Sequence, residues 1–131
     1  MARLSRPGLK YFNMSVDFFD DPAILHVAMR FELKGEMIAF KLLCKIFKYD
    51  GYFIKWDDGM ATLLAKGVGK NISSSLANDV VSELLKRGFF NKAMYKRFGI
   101  LTSTGIQKTY VKTCRDGGRK CMMKDIYLVN H

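Results

Sequence analysis

The sequence predicts an α+β domain, mainly α: a winged helix-turn-helix with a small antiparallel sheet and an extra C-terminal helix. Three observations predict it. First, residues 73–91, SSSLANDVVSELLKRGFFN, read as an amphipathic helix, a glycine stop and the start of a strand. Leu76, Ala77, Val80, Val81, Leu84 and Leu85 recur at i, i+1, i+4, i+5, i+8 and i+9, which places all six on one face. Second, YFIKW at 52–56 is aromatic and β-branched, as a strand is, and precedes a further helical pattern. Third, the elements follow the order helix, helix, strand, helix, helix, strand, strand, helix. That is a three-helix core with a small sheet and a terminal helix.

Taken in order, residues 1–19 read as a basic arm (1–10) leading into an extended piece that lies against the core. Arg3, Arg6 and Lys10 flank Pro7 and Gly8 there, ahead of Tyr11, Phe12, Met14, Val16, Phe18 and Phe19. Asp21-Pro22 starts a first helix, because Asp caps and Pro at the first position loses no needed bond. That helix runs to about residue 33 with Ile24, Leu25, Ala28, Met29 and Phe31 inward, and Gly35 separates it from a second at 36–49. In the second helix Ile38, Leu42, Leu43, Ile46 and Phe47 face the core, while Lys41, Lys45 and Lys48 form a solvated stripe.

Asp50-Gly51 is a turn. After the strand at 52–56, Asp57 or Asp58 caps a third helix at about 59–66 with Met60, Leu63 and Leu64 apolar. Residues 67–71 turn into the helix at 73–87, capped by Ser73, with Lys86 and Arg87 in its last turn and Gly88 as its stop. Leu76, Val80, Leu84 and Leu85 should pack on Leu42, Leu43 and Ile46, leaving Asp79 and Glu83 on the polar face. Phe89–Asn91 and Ile100–Ser103 should pair as a hairpin, the wing, and YFIKW should pair with it. The wing tip, NKAMYKRFG, is too long for a tight turn and carries one helical turn closed by Gly99. Thr102 or Ser103 caps a fifth helix to about Arg115, with Ile106, Tyr110 and Cys114 inward, and Gly117-Gly118 breaks it. The end, DIYLVN, reads equally as an added strand or a loose tail.

The totals bound the class. The length of 131 residues fits a single domain, 1–131, with a C-terminal tail from 117. Apolar and charged fractions of 49% and 26% are those of a globular domain. No apolar run reaches a membrane span, and MARLSRPGLKYF lacks the apolar centre of a signal peptide, so the expectation is a cytoplasmic protein with no membrane partner. Three cysteines, Cys44, Cys114 and Cys121, fit reduced thiols there. The net charge of +10 is uneven. Residues 1–50 hold eight Lys/Arg against six Asp/Glu, residues 51–91 five against four, and residues 92–131 nine against two. Such asymmetry points to a polyanionic partner.

Enzyme chemistry finds no purchase. GVGKN at 67–71 lacks the first glycine of a phosphate loop, carries Asn71 where Ser or Thr is needed, and follows a helix. His26 sits on a helix, His131 is terminal, and Cys114 and Cys121 lack zinc spacing. His26 is the only base a catalytic triad could use, and no nucleophile neighbours it. Asp20-Asp21 and Asp57-Asp58 stand at helix starts, where carboxylates cap. The expectation is a non-enzyme without cofactor or metal.

YFNMSVDFFDD, KGEMIAFKLLCKIFKYDGYFIKW, LLKRGFF and GILTSTGIQKTY resemble the N-terminal domain, mostly of unknown function, of a family of bacterial and prophage proteins. That domain is similar to the N-terminal winged helix of DnaD-like primosomal replication-initiation proteins. The resemblance spans roughly residues 8–112 and implies DNA binding, self-association or both, in replication initiation; it brings no catalytic residues. DnaD-like proteins usually carry a second, DNA-binding helical domain that is not part of this chain.

Two readings follow. As a DNA-binding protein, the chain would present the helix at 73–87 to the major groove of double-stranded DNA. Asn71, Ser74, Ser75 and Asn78 would lie near bases or phosphates, and Lys66, Lys70, Lys92, Lys96 and Arg97 would neutralise phosphates. As a scaffold, the wing and terminal helix would form a homodimer, a higher oligomer or a contact to replication proteins. Tyr11, Phe12, Phe18 and Phe19 would then fold onto the core or onto a second copy.

Overall fold

Each of the five helices begins on a side chain that accepts a first-turn N–H. In the computed structural model, which describes residues 8–114, 126 and 128, Asp21 caps α1 (Pro22–Lys48) and Asp57 caps α2 (Asp58–Val68). Ser73 caps α3 (Ser74–Lys86), Asn91 caps α4 (Lys92–Phe98) and Ser103 caps α5 (Thr104–Thr113), with N···O distances of 2.9–3.1 Å. A 3₁₀ turn, Phe18–Asp20, precedes α1. Two short strands complete the fold, β1 (Ile54–Lys55) and β2 (Ile100–Leu101). They pair antiparallel with Ile54 opposite Leu101 and Lys55 opposite Ile100. The described residues thus form a mainly helical α+β fold with a two-stranded antiparallel sheet.

The first two expected helices are one element with a break. The break falls at Glu32 (φ 60°, ψ −150°) and not at Gly35. Gly35 is instead buried at the bend, where a Cβ would stand 2.6 Å from Phe31 Cβ and 2.8 Å from Val27 Cγ1. Glycine here lets the two limbs of α1 close on each other. The first limb also turns a different face inward from the one expected. Ala23, Ile24 and Val27 are buried, whereas Leu25 and Met29 are 44% and 79% exposed. A helical stripe read from sequence can be rotated by one residue, and packing decides which edge is covered.

The core lies where α1, α2 and α3 meet. Ala77, Val80, Val81 and Leu84 of α3 pack with Ile38, Leu42, Leu43 and Ile46 of α1, and with Ala61, Leu64 and Ala65 of α2. Leu76 and Leu85, expected in the core, are half-buried at its edge, and Leu63 faces solvent. α3 ends as expected: Gly88 takes φ 81°, and the Phe89 N–H returns to Leu84 O at 2.9 Å, closing a Schellman-type stop.

The β-hairpin expected beyond Gly88 is absent. Phe89 and Phe90 form no strand; Phe90 is buried and Phe89 meets Phe18 edge-on. One link of the expected pairing persists, the Asn91 N–H to Thr102 O bond of 2.8 Å. Lys92–Phe98 forms a helix of two turns, closed by Gly99 in the left-handed conformation (φ 68°). An Asn cap, good helix formers and a glycine stop outweigh the sheet preference of the flanking aromatics. The five-residue strand expected at 52–56 shrinks to the two residues of β1, because β2 offers only two partners.

Glu83 is a further correction. It was expected on the polar face of α3 but is 3% exposed. Its carboxylate accepts from Arg87 Nε at 2.8 Å and Arg30 Nη1 at 2.9 Å, so a charge that faced water in the sequence reading is a buried tie between α3 and α1.

A second cluster sits behind the sheet. Tyr52, Ile100, Tyr110 and Ile126 are buried together. Beside them lie two buried polar side chains, Thr102 and Gln107. Gln107 Nε2 donates to Ile126 O (2.7 Å) and Thr102 Oγ1 (3.1 Å), while its Oε1 accepts from Leu128 N–H (2.7 Å). The Thr102 hydroxyl in turn donates to Tyr52 O. Ile126 and Leu128 are therefore seated, although most of the tail from 117, the Gly117-Gly118 break, Cys121 and His131 lie outside the described residues, as do Arg3 and Arg6 of the arm.

Candidate nucleic-acid interface

The nine residues expected to meet DNA fall into two groups. The first group spans the end of α2, the following turn and the head of α3. Lys66, in the last turn of α2, is exposed, as are Lys70 and Asn71 in the turn. Ser75 is exposed in the first turn of α3, and Ser74 and Asn78 are half-buried. The second group, Lys92, Lys96 and Arg97, is exposed on α4, a helix that buries none of its residues. The Arg97 guanidinium rests over the Phe98 ring, 5.1 Å from its centroid, which limits the rotamers it must give up on binding.

Trp56 ties the groups together. Its indole N–H donates to Asn78 Oδ1 at 3.0 Å, and its backbone N–H donates to Gly99 O, just past α4, at 2.9 Å. The head of α3 and the end of α4 thus meet through one residue at the end of β1. The Asn78 carbonyl is occupied by this bond, so Asn78 positions α3, and Asn71 and Ser75 are the exposed polar groups of the expected reading set. Sequence reasoning missed Trp56, since Asn78 lies 22 residues away and no local pattern couples the two.

The electrostatics of this side are simpler than the sequence suggests. Of the two acids expected on the polar face of α3, where they would repel phosphate, Asp79 is exposed, but Glu83 points inward and is neutralised. The hydrogen bond from Arg87 holds the Glu83 carboxyl below the usual range; Arg30 acts the same way, and burial opposes both. Among the described residues no three His, Cys, Asp or Glu side chains come together as a metal site. No helix among them is long and apolar enough to cross a membrane.

Residues 11–106 match the family described as Lin1244/Lin1753-like, N-terminal, and the chain belongs to that family. It is similar to the uncharacterised phage-related protein Lin1244/Lin1753 of Listeria innocua, with 33% identity over 110 residues. The match covers 84% of this chain but 35% of the relative, so the chain spans about a third of that protein's length. No solved structure matches the chain.

Proposed function

We propose that this member of the Lin1244/Lin1753-like family is a non-enzymatic, cytoplasmic DNA-binding protein of phage-related function. In this reading it engages duplex DNA through α3 and the turn before it, with α4 in place of a winged helix's hairpin wing. The observation that carries the reading is the Trp56 link, which holds the head of α3 and the cationic helix α4 on one frame. The net charge of +10, concentrated in residues 92–131, supplies the attraction. The relative's description as phage-related supports the phage-related part of this reading; a role in replication initiation rests on the sequence resemblance to DnaD-like proteins alone.

A fluorescence-anisotropy titration with duplex DNA at several salt concentrations tests the reading. With about four phosphate contacts, log affinity should fall with log salt at a slope of about −3 to −4. Replacing Lys92, Lys96 and Arg97 together with Ala should weaken binding to all duplexes alike and flatten that slope. Ser75→Ala should matter only for a preferred sequence. Equal affinity and slope for wild type and the triple variant would remove α4 from the interface.

One observation favours a scaffold as the second reading. Leu25 and Met29, one turn apart on the outer face of α1, and Leu33 just past the break are 44%, 79% and 70% exposed. Of the four aromatics expected to fold onto the core or a second copy, Phe12 stacks on Phe47 and Phe18 is buried, whereas Tyr11 and Phe19 are exposed. Sedimentation across a concentration series, with Met29→Glu as the control, separates a dimer built on α1 from a monomer.

A further inference from the structure

The arm and the end of α1 build a groove that neither reading above uses. The arm is fixed there by its backbone. Leu9 N–H donates to Phe47 O at 2.7 Å. Gly8 lies so close to the end of α1 that a Cβ would stand 2.0 Å from Lys48 O. The Phe12 ring stacks on Phe47, with centroids 4.4 Å apart. These contacts set Lys10 and Tyr11 beside Lys48. Two concavities result, of about 580 Å³ on the arm side and about 250 Å³ on the α2 side. Cys44 and Lys48 line both, so the two form one strip across α1. The far end of the strip reaches Gly67, whose carbonyl accepts from Lys41 Nζ at 3.0 Å.

The lining has one sign of charge. Lys10, Lys41, Lys45 and Lys48 contribute cations, and no carboxylate lines either concavity. Asp50, the acid nearest in sequence, is half-buried and outside both. Aromatic faces alternate with the cations. Tyr11 is 75% exposed, and Tyr49 is 47% exposed with Lys45 and Lys48 ammonium groups 5.5 and 5.4 Å from its centroid. A solvated lysine stripe, as the sequence suggested, explains the charges but not two exposed tyrosines held at either side of the same lysine.

We infer that this groove binds single-stranded nucleic acid, with Lys10, Lys45 and Lys48 tracking the phosphates and Tyr11 and Tyr49 stacking on bases. Unstacked bases have faces to offer an aromatic ring, and a duplex keeps those faces internal. A strip of cations with interleaved rings is therefore complementary to a single strand in both charge and shape. The site stands on residues distinct from the duplex reading, and either can fail without the other.

The test uses the full chain and a fluorescently labelled twelve-residue oligothymidylate, with a duplex of equal length as comparison. Lys45→Gln with Lys48→Gln should lower oligothymidylate affinity at least tenfold and lower duplex affinity by much less. Tyr11→Leu should lower it roughly five- to 150-fold, the range of a lost base–aromatic stack. The salt slope for the single strand should be about −2, from three phosphates at about −0.7 each. Alkylation of Cys44, read by peptide mass spectrometry, should slow when the oligonucleotide is bound. Unchanged affinity in the charge-neutralised pair overturns the proposal, as does unchanged affinity in Tyr11→Leu, which would leave only a general polyanion surface. Equal competition by polyglutamate of matched charge overturns it in favour of an acidic protein partner. Circular dichroism of each variant separates loss of binding from loss of fold.

Discussion

The cluster shared by α1, α2 and α3 has an aliphatic centre ringed by Phe18, Phe47, Trp56 and Phe90 and admits a single carboxylate, Glu83, whereas the cluster behind the sheet closes on Tyr52, Tyr110 and an amide, Gln107. The first is built from residues that repeat at helical spacing, so each contributes its own burial. The second joins residues from 52 to 128 through a chain of bonds in which every donor and acceptor depends on the next. Among the described residues no buried side-chain nitrogen or oxygen lacks a partner. The aliphatic cluster should therefore weaken in proportion to the volume removed, and the polar one through the groups a deletion leaves unpaired.

The largest effect should come from the first cluster. Leu84 is fully buried, and Leu84→Ala should cost about 2–5 kcal/mol in urea unfolding. A loss below about 1 kcal/mol would mean that the site collapses without leaving a cavity. Removing both guanidinium groups, Arg30→Ala with Arg87→Ala, should come next, at about 3 kcal/mol near pH 7, because Glu83 then stays buried without a partner. This variant carries a pH signature. The native Glu83 carboxyl is held below its unfolded value, so its contribution is complete above the ordinary glutamate pKa of about 4.3. It is lost as pH falls through the lowered native value. The stability gap between wild type and variant should narrow as pH falls, starting above the ordinary value, because burial alone raises the unpaired carboxyl of the variant, and continuing through the lowered native value of the wild type.

Gln107→Leu tests the second cluster and should cost about 1–3 kcal/mol, since Leu128 N–H and Ile126 O lose the partner that reaches them. Its near-UV circular dichroism should change, because Thr102, which the amide holds, donates to Tyr52 O, and the Tyr52 ring packs on Tyr110. The smallest effect should be favourable. Glu32 is the one described non-glycine residue at positive φ, and Glu32→Gly, which relieves that strain but removes a carboxylate from the head of the second limb, should stabilise by less than about 1 kcal/mol in thermal unfolding.

The same contrast explains what could be read from the chain. Ser73, Gly88 and the α3 stripe were legible because cap, stop and periodicity all lie within one short stretch. α4 was half legible: Gly99 showed its end, but Phe89 and Phe90 drew the reading toward a hairpin that the Asn91 cap defeats. Ile24 is buried as expected, but periodicity cannot choose between adjacent edges of a stripe, and Gly35 and the bend cover Val27 rather than Leu25 and Met29. Exposure of the lysines and Arg97 in the candidate interface followed from composition. The roles of Asn78 and Glu83 did not, because their partners Trp56 and Arg30 lie 22 and 53 residues away. The groove at the end of α1 escaped notice for the same reason, as it needs the arm laid across Phe47 and Lys48.

The bend at Glu32 also divides α1 electrically. An unbroken helix of 27 residues would carry one macrodipole, with its charges far apart at residues 22 and 48. The break gives each limb its own dipole and brings a negative end and a positive end together in the middle of the element. The side chains there match them: Arg30 lies in the last turn of the first limb, and Glu32 heads the second, with Glu36 in its first turn. Arg30 thus stands in the turn where a helix C-terminus favours a cation, while its guanidinium pairs with the buried Glu83 carboxylate of α3.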